Sequence, residues 1–483
     1  MIIQGAKGQY RVVIGLEVHA QVNTKTKLFS NSRNNFGDEQ NTNVAFFDIS
    51  LPGVLPALNG EVLKKTIKTG LALNAKINNV CRFDRKHYFY PDLPSGYQIT
   101  QMHQPIVQNG WIEIKKEDGS LKKIRVNRIH IEQDAGKSIH SGSRSLMDYN
   151  RAGVPLMEIV SEPDISSAEE AVLYLKKLQQ ILRFVDSADA DLEKGTFRCD
   201  VNVSVMPLDA KEFGTRCEIK NINSFRFIAQ AIEFEANRHV EMIERGEPVV
   251  QQTRLFDQKK GVTMLMRDKA DALDYRYMPD SNLLEVKILD SEIEQIKSEM
   301  PEMPDAVFDR YIGLGVSEKD AKFLTSDVVF VKYFDELHKK HDAKMCITWM
   351  LNELMGQLAG AGIAFADNKI SVEMLVELMD LIKDGKINGK IGKEVLLEMI
   401  NSNKRAGVIV EEKGLLQIDN DDEIKKVIEE VITENNTQFE QVLGGNQKLL
   451  AFFVGQVMKK TGGKANPASV NRILQDVVSG RGG

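Results

Sequence analysis

Five stretches of the sequence alternate apolar residues with carboxylates, imidazoles or cations. In VIGLEVHAQV, residues 13–22, Glu17 and His19 point away from an apolar face if the stretch is a strand. The other four stretches place Glu132 in NRIHIEQDAGKS, Glu158 in VPLMEIVSEPD, Arg198 and Asp200 in FRCDVNVSV, and Glu218 and Lys220 in TRCEIKNINSF. A solvated face explains any one of these strands. The recurrence of acids beside cations favours one shared concave site.

The residue types of this site are those that metal-assisted phosphoryl transfer requires. A hard divalent cation needs oxygen ligands, and Glu17, His19, Glu132 and Glu158 supply carboxylate and imidazole groups. Phosphate oxygens bound to such a cation need further positive charge, which Arg198 and Lys220 offer. The pattern therefore predicts a metal and phosphate site on the polar face of a sheet.

Several common motifs are excluded. EQDAGKS ends like a P-loop, but Ile131 stands where that motif requires glycine, and no HExxH zinc motif occurs. Cys199 and Cys217 alternate onto the apolar faces of their strands, which predicts buried, unreactive thiols. The four cysteines form neither a disulfide framework nor a CxxC site.

Composition and patterning predict a soluble α+β protein with three domains. The 483 residues carry a net charge of −6, no apolar run of membrane-spanning length and no N-terminal signal segment, so we expect a cytoplasmic chain. Strand-like alternation with intervening helices indicates a large, mainly antiparallel-sheet domain over 1–292, including a helix from Ser166 to Val185 with a Ser166/Glu169 capping box. Helical patterns indicate an all-α domain over 293–407 and a small helical tail domain over 408–483.

Charge divides the tail sharply. Residues 409–441 hold ten acids and three bases, whereas residues 445–483 hold six bases and one acid. The basic half includes Lys448, Lys459, Lys460, Lys464 and Arg472. A basic segment of this kind indicates either a solvated helical cap or an RNA-binding surface.

An aromatic run, KHYFYPDLPSGYQ, leaves two interpretations open. Exposed rings would form a loop that stacks on bases or on substrate. Alternatively, Tyr88 and Tyr90 pack against the sheet beside a proline-rich turn.

The order of the motifs resembles that of the B subunits of the tRNA-dependent aspartyl/glutamyl-tRNA(Asn/Gln) amidotransferases. The motifs are VIGLEVHAQV, LPGVLPALN, RKHYFYPDLPSGYQITQ, EQDAGKS, EIVSEPD, RCDVNVSV, EIKNINSF and DYRYMP, followed by the C-terminal FFVGQVMKKTGGKANPASVN. The resemblance implies a cradle-like sheet domain and a tRNA-binding tail. It also implies ATP-dependent phosphorylation of the side-chain carboxylate of mischarged Glu-tRNA(Gln) or Asp-tRNA(Asn), after which ammonia displaces the phosphate.

Site residues, cofactors and partners follow from the same resemblance. It implies Glu17, His19, Glu132 and Glu158 as metal ligands, and Asp200, Glu218 and Lys220 near the nucleotide and the transferred phosphate. The strand pattern adds Arg198 as a nucleotide-binding residue. The expected metal is magnesium, although a histidine ligand also suits manganese. The resemblance implies a heterotrimer with an amidase-type glutaminase (the A subunit) and a small third chain (the C subunit), because this chain contains no glutaminase motif; HSGSRS is only a short polar stretch.

Two positions depart from patterns found in the family. Some members carry a four-cysteine zinc site, where this chain has Ser30, Ser32, Ala45 and Asp48, so no structural zinc is expected. The segment after DYRY differs around Asp280, whose role stays open. Two alternatives to the family interpretation remain: a ligase acting on a free small carboxylate without RNA, and a non-catalytic tRNA-binding scaffold.

Overall fold

The computed structural model describes residues 2–268, 274–417, 420–444 and 446–481. The chain forms two compact units, Met1–Ala306 and Val307–Gly483. The predicted boundary at 407/408 lies inside the second unit, so the three-domain division stays a prediction.

The first unit contains strands connected by hairpins, loops and a few helices. The strands are β1 (Ile2–Gln4), β2 (Gln9–Gln21), β3 (Lys76–Ile77), β4 (Val80–Cys81), β5 (Asp84–His87), β6 (Tyr97–Thr100), β7 (Val107–Lys115), β8 (Leu121–Gln133), β9 (Lys137–Ser141), β10 (Arg144–Asp148), β11 (Pro155–Ser161), β12 (Phe197–Pro207), β13 (Cys217–Lys220), β14 (Gln252–Asp257), β15 (Val262–Asp268), β16 (Met278–Pro279) and β17 (Val286–Lys287). Its helices are α1 (Gly60–Ala72), α2 (Ala168–Phe184), α3 (Phe225–Arg245) and α4 (Asp290–Ser298), and α5 (Pro304–Gly313) contains the division between the units.

A ten-stranded sheet dominates this unit. Its order is β15-β14-β13-β12-β2-β11-β8-β7-β3, with β1 added beside β2. Every pairing is antiparallel except that of β13 with β14. The predicted α+β class with a mainly antiparallel sheet is therefore confirmed.

Strand β2 explains why the two faces of the sheet differ. Ile14, Leu16, Val18 and Ala20 are fully buried in the apolar core of the unit. Leu178 of α2 and Ile232 of α3 belong to the same core, so helices cover this face. The opposite face keeps the polar residues of the alternating pattern, as period-2 strand geometry requires.

Three smaller sheets accompany the large one. Strand β5 pairs with β6 and with β16, which brings the segment before β16 close to the aromatic run. Strand β17 pairs with β4, and β9 pairs with β10 in a hairpin.

The predicted capping box of α2 is wrong by one residue. The helix begins at Ala168, and the side chain of Ser167, rather than Ser166, accepts a hydrogen bond from the Glu170 N–H. The Glu170 carboxylate accepts from the Ser166 N–H and also pairs with Lys122 on β8. The tertiary ion pair selects Glu170 over Glu169, a preference that local sequence does not contain.

Helices joined by turns and loops make up the described residues of the second unit. Its helices are α6 (Glu318–Leu324), α7 (Val328–His338), α8 (Ala343–Ile347), α9 (Met355–Gly360), α10 (Val372–Lys383), α11 (Gly389–Ser402), α12 (Ala406–Glu412), α13 (Asp421–Glu434), α14 (Asn436–Leu443), α15 (Leu450–Lys460) and α16 (Pro467–Arg481), with a π-helical segment Thr348–Leu354 and short 3₁₀ turns Phe365–Asp367 and Gln447–Leu449. Helices α13 to α16 share an apolar cluster that includes Ile428, Phe439, Phe453 and Val470. Among the residues described, no helix combines the length and apolar composition needed to cross a bilayer.

Candidate active site

Strand register brings the predicted site residues together on the open face of the sheet. His19 of β2 faces Glu158 of β11 on one side and Arg198 of β12 on the other. Glu17 faces Asp200 of β12 in the same way. Side chains of directly opposed residues lie about 4.5–5.5 Å apart at Cβ, so the register alone places these groups within contact distance.

The tightest cluster consists of two histidines and two carboxylates. His19 Nε2 lies 3.2 Å from Glu158 Oε2 and 3.4 Å from Glu132 Oε1. His130 Nε2 lies 3.3 Å from the same Glu158 oxygen and 3.7 Å from Glu132 Oε2. His130 and Glu132 are buried, and His19, Glu132 and Glu158 offer ligand atoms that all lie within 4.8 Å of one another.

Burial and opposite charge act against each other in this cluster. Burial lowers the pKa of His130, but Glu158 and Glu132 outweigh it and raise the pKa to about 9. The pKa of His19 is raised for the same reason. Burial raises the pKa of Glu158, but the two imidazoles lower it by more, so that the pKa lies well below its usual value and this carboxylate stays ionised.

Glu17 lies beside this cluster rather than inside it. Its Oε1 accepts a hydrogen bond of 2.9 Å from the Asn202 side chain. Burial, followed by the charge of Glu158, raises the pKa of Glu17. Of the four predicted metal ligands, three thus converge and the fourth is their neighbour on the same face.

A second cluster surrounds Lys220. Its ammonium lies 2.5 Å from Asp200 Oδ2 and 2.9 Å from Glu218 Oε1. Burial lowers the pKa of Lys220, but the two carboxylates raise it above its usual range. Thr253 Oγ1 donates to Glu218 at 2.8 Å from the neighbouring strand β14, so the position of Glu218 depends on that strand.

Both clusters line one polar cavity of about 420 Å³. Its lining also contains groups that the predicted site lacked: His130, Lys86, Thr100, Met102, Arg128, Asn202, Arg216, Gln251, Gln252, Thr253, Tyr275 and Tyr277. His130 follows the same alternation as Glu132, so the pattern itself carried its signal. Lys86 and the two tyrosines come from the small sheet and its flanking segment, for which no local pattern indicated proximity.

Arg198 does not line this cavity, although it was predicted to contact the nucleotide. Its Nη2 donates to Asp134 Oδ2 at 2.9 Å, and this carboxylate raises the pKa of Arg198. Arg151 approaches the same carboxylate at 3.7 Å. Arg198 therefore extends along the sheet toward the end of β8.

Two of the five predicted RNA-binding cations form ion pairs within the second unit. Lys460 Nζ lies 2.9 Å from Glu430 and 2.6 Å from Glu434, and Arg472 lies 2.8 Å from Asp421. Lys448, Lys459 and Lys464 form no salt bridge with the residues that the structure describes. The acidic and basic halves of the tail thus partly neutralise each other.

An ammonium group occupies the centre of the segment that carries Ser30 and Asp48. The Lys27 side chain is fully buried, and its Nζ lies 3.0 Å from Asp48 Oδ2 and 2.6 Å from the carbonyl oxygen of Asn43. Ser30 Oγ donates to the other oxygen of Asp48 at 3.0 Å. Lysine therefore supplies the positive charge that organises this loop.

Asp280 has a structural contact. It is buried and accepts a hydrogen bond of 2.7 Å from Arg85 Nε on β5. The Arg85 guanidinium also lies 4.2 Å from the ring centroid of Tyr97. This contact fixes the end of β16 against the β5–β6 hairpin.

The four cysteines are free and buried, as the alternation predicted for Cys199 and Cys217. Burial raises the pKa of Cys217 to about 11. Cys217 lies near a fully buried carboxylate, Glu235, which contacts Arg238, His239 and Arg254. Two guanidinium groups already compensate this carboxylate, so the group is an ion network between α3 and β14.

Comparison with known proteins identifies the family. The family model for the GatB/GatE catalytic domain matches residues 12–294, and that for the GatB domain matches residues 332–478. The chain is 51% identical to the B subunit of aspartyl/glutamyl-tRNA(Asn/Gln) amidotransferase from Wolbachia sp. subsp. Brugia malayi (strain TRS), over 98% of this chain and 99% of the relative. Proteins of the same name from Rickettsia bellii (strain RML369-C) and Ehrlichia canis (strain Jake) are 50% and 49% identical, over 98% of this chain and 99% and 98% of theirs. The chain therefore belongs to the family of B subunits of the tRNA-dependent aspartyl/glutamyl-tRNA(Asn/Gln) amidotransferases.

Proposed function

We propose that this chain uses ATP to phosphorylate the side-chain carboxylate of mischarged Glu-tRNA(Gln), Asp-tRNA(Asn) or both, and that ammonia then displaces the phosphate. The observation that carries the proposal is the shared cavity, where His19, Glu132 and Glu158 converge beside the Lys220 cluster. The names of the relatives supply the two tRNA substrates.

The chemistry explains why both clusters are needed. A carboxylate resists attack by ammonia because its oxygen is a poor leaving group. In the first step a carboxylate oxygen bonds to the γ-phosphorus of ATP while the bond from that phosphorus to the β–γ bridging oxygen breaks, and ADP leaves. In the second step the ammonia nitrogen bonds to the acyl carbon, inorganic phosphate leaves, and the nitrogen loses a proton to give the amide.

The donor set fits a divalent cation. One imidazole nitrogen and two carboxylate oxygens that lie close together suit magnesium or manganese, and three negative groups in addition to these line the same cavity: Glu17, Asp200 and Glu218. When bound there, the cation supplies positive charge to the nucleotide phosphates.

The residues of the chain have separate roles in this proposal. Lys220, held between Asp200 and Glu218, presents an ammonium to the transferred phosphoryl group. Lys86, Arg128 and Arg216 line the same cavity and add positive charge for the remaining phosphate oxygens. Arg198 has no direct phosphate contact in this proposal, because it pairs with Asp134 outside the cavity lining.

Partners and location belong to the same proposal. Ammonia requires a glutaminase, so we propose a cytoplasmic assembly with the amidase-type A subunit and the small C subunit. The tail contributes RNA-binding cations, with Lys448, Lys459 and Lys464 as the main contacts and Lys460 and Arg472 as weaker ones, because acids already pair with the last two.

The test is an assay of the purified chain with its partner subunits on each mischarged tRNA. We expect ATP hydrolysis that depends on the aminoacyl-tRNA and yields the amidated product when glutamine is present. Equal ATP hydrolysis with a free amino acid would favour a ligase that needs no RNA. Tight tRNA binding without any ATP hydrolysis would favour a non-catalytic scaffold.

A further inference from the structure

Four tyrosine rings form a continuous row that leads out of the active-site cavity. Tyr277 and Tyr275 line the cavity, and their ring centroids lie 6.0 Å apart. Tyr88 lies 6.2 Å from Tyr275 and 6.0 Å from Tyr90. Tyr90 is 56% exposed, and Phe89, which separates Tyr88 from Tyr90 in the sequence, is 85% exposed. We call these five residues the aromatic row.

Hydrogen bonds to the backbone hold the aromatic row in place. Tyr88 and Tyr90 belong to the connection of the β5–β6 hairpin, and the His87 N–H donates to the Tyr275 carbonyl at 2.9 Å. A second hydrogen bond holds the middle of this connection, because the hydroxyl of Tyr149, which follows β10, donates to the Pro91 carbonyl at 3.0 Å. A surface that is already ordered loses little conformational entropy when a ligand stacks on it.

Core packing does not account for the outer rings. A phenylalanine that is 85% exposed gains little from burial, and its ring rests over Gly96, where a Cβ atom would approach the ring to 3.0 Å. Gly96 also has a positive φ of 72°, a conformation that other residues rarely adopt. The connection is thus built in a way that turns aromatic side chains toward solvent.

Positive charge accompanies the rings at the cavity end of the row. Lys86 Nζ lies 4.8 Å from the Tyr275 ring centroid, and the same lysine lines the cavity. Aromatic rings combined with cations are the means by which many proteins bind unpaired nucleotides, because bases stack on rings and phosphates need neutralisation.

We propose that the aromatic row binds the unpaired 3′ end of the tRNA by base stacking. This inference rests on the proposed function. The amino acid to be modified is esterified to the terminal ribose, so the last base must lie at the mouth of a cavity that receives the carboxylate. A row that continues outward through Tyr88 and Tyr90 matches several consecutive bases, whereas the adenine of ATP would need only one or two rings.

The experiment replaces the two most exposed rings in the full-length chain, assayed in complex with its partner subunits. We expect Phe89→Ala with Tyr90→Ala to raise the KM for mischarged tRNA by roughly 10-fold to 100-fold, as loss of a stacked base implies. The kcat at saturating tRNA and the KM for ATP should change less than about twofold. Phe213→Ala is the matched control, because Phe213 is 64% exposed in the same unit but lies outside the row.

A binding measurement separates this proposal from the catalytic one. A tRNA with 2-aminopurine two positions before the terminal adenine should lose fluorescence on binding the wild-type complex and keep it on binding the double variant. Because this signal needs no chemistry, absence of amidated product would overturn only the proposed function. A raised KM for ATP alone would assign the rings to the nucleotide, and unchanged values throughout would make the row a packing feature; either result overturns the inference.

Discussion

His19 and Glu158 face each other directly across β2 and β11, and the imidazole Nε2 lies 3.2 Å from the carboxylate Oε2. This pairing joins the two central strands of the open face at the point where Glu132 also arrives from β8. Strand register therefore forms the site. Because these side chains lie on the face opposite the apolar core, substituting them can abolish the chemistry without unfolding the sheet.

Glu158→Gln and Glu132→Gln should each reduce ATP-dependent activation by roughly 100-fold or more. Each change removes one negative charge of the proposed metal site while keeping side-chain shape, so circular dichroism and tRNA affinity should match those of the wild type. The measurement is aminoacyl-tRNA-dependent ATP hydrolysis. Glu113→Gln on β7 outside the cavity is the control; near-normal turnover by both cavity variants would contradict the metal assignment.

Lys220→Met should raise the KM for ATP and lower kcat together. The change removes the ammonium that we propose for contact with the transferred phosphate, and it leaves Asp200 and Glu218 close to each other without compensation. Initial rates at varied ATP, with tRNA held at saturation, measure both constants. Lys220→Arg keeps the positive charge but changes the shape of the side chain, so we expect activity between that of Lys220→Met and that of the wild type. An unchanged phosphoryl-transfer rate in Lys220→Met would remove this residue from the mechanism.

Glu235→Gln should lower the free energy of unfolding by roughly 3 kcal/mol at neutral pH, because it removes the buried carboxylate that pairs with the half-buried guanidinium groups of Arg238 and Arg254. Although burial raises the pKa of Glu235, its hydrogen bonds to His239, Arg238 and Thr263 lower it well below its ordinary value. A carboxyl with a lower pKa in the folded than in the unfolded state stabilises above the unfolded pKa, and the effect fades as pH falls.

Urea denaturation at several pH values measures this effect. The difference between wild type and Glu235→Gln should shrink as pH drops below about 4, where the unfolded carboxyl gains its proton. Glu233→Gln on the exposed side of the same helix should change stability little. A constant difference between wild type and Glu235→Gln across pH would show that lost packing, rather than charge, causes the effect.

Deleting residues 408–483 should raise the apparent Michaelis constant for mischarged tRNA far more than it changes ATP affinity. Replacing Lys448, Lys459 and Lys464 by glutamine tests the same surface without truncation. The slope of log affinity against log salt should shrink by roughly 0.7 to 0.9 for each phosphate group that is no longer bound. Lys460→Gln and Arg472→Gln should change this slope less, because acids already pair with both residues. An unchanged slope in the triple variant would place RNA binding elsewhere.

Several features of the fold and site were predictable because they depend on local repeats. The period-2 pattern predicted the polar face of β2, β8, β12 and β13, and the structure confirms the strands. Family membership confirms the predicted identity as a component of a tRNA-dependent amidotransferase, a glutamine-hydrolysing ligase. The individual roles of the site residues stay predictions.

Other features depend on contacts between distant parts of the chain. Nothing near Arg198 in the sequence indicated its pairing with Asp134, and nothing near Lys460 indicated Glu430 and Glu434. The order of strands in the sheet, with β13 parallel to β14, is equally non-local. Lys86 and Tyr275 reach the cavity through a separate small sheet, which no repeat within either segment predicts.

Strand β2 buries Val18 on one face and presents His19 on the other. The same alternation of residues therefore determines both which side chains enter the core and which enter the cavity. Inserting or deleting a single residue there would exchange the two faces and send an imidazole beneath the helices. Evolution and protein engineering can therefore adjust this strand by substitution but not by length. We expect length variation to be tolerated in connections such as residues 116–120, which join β7 to β8 at the surface.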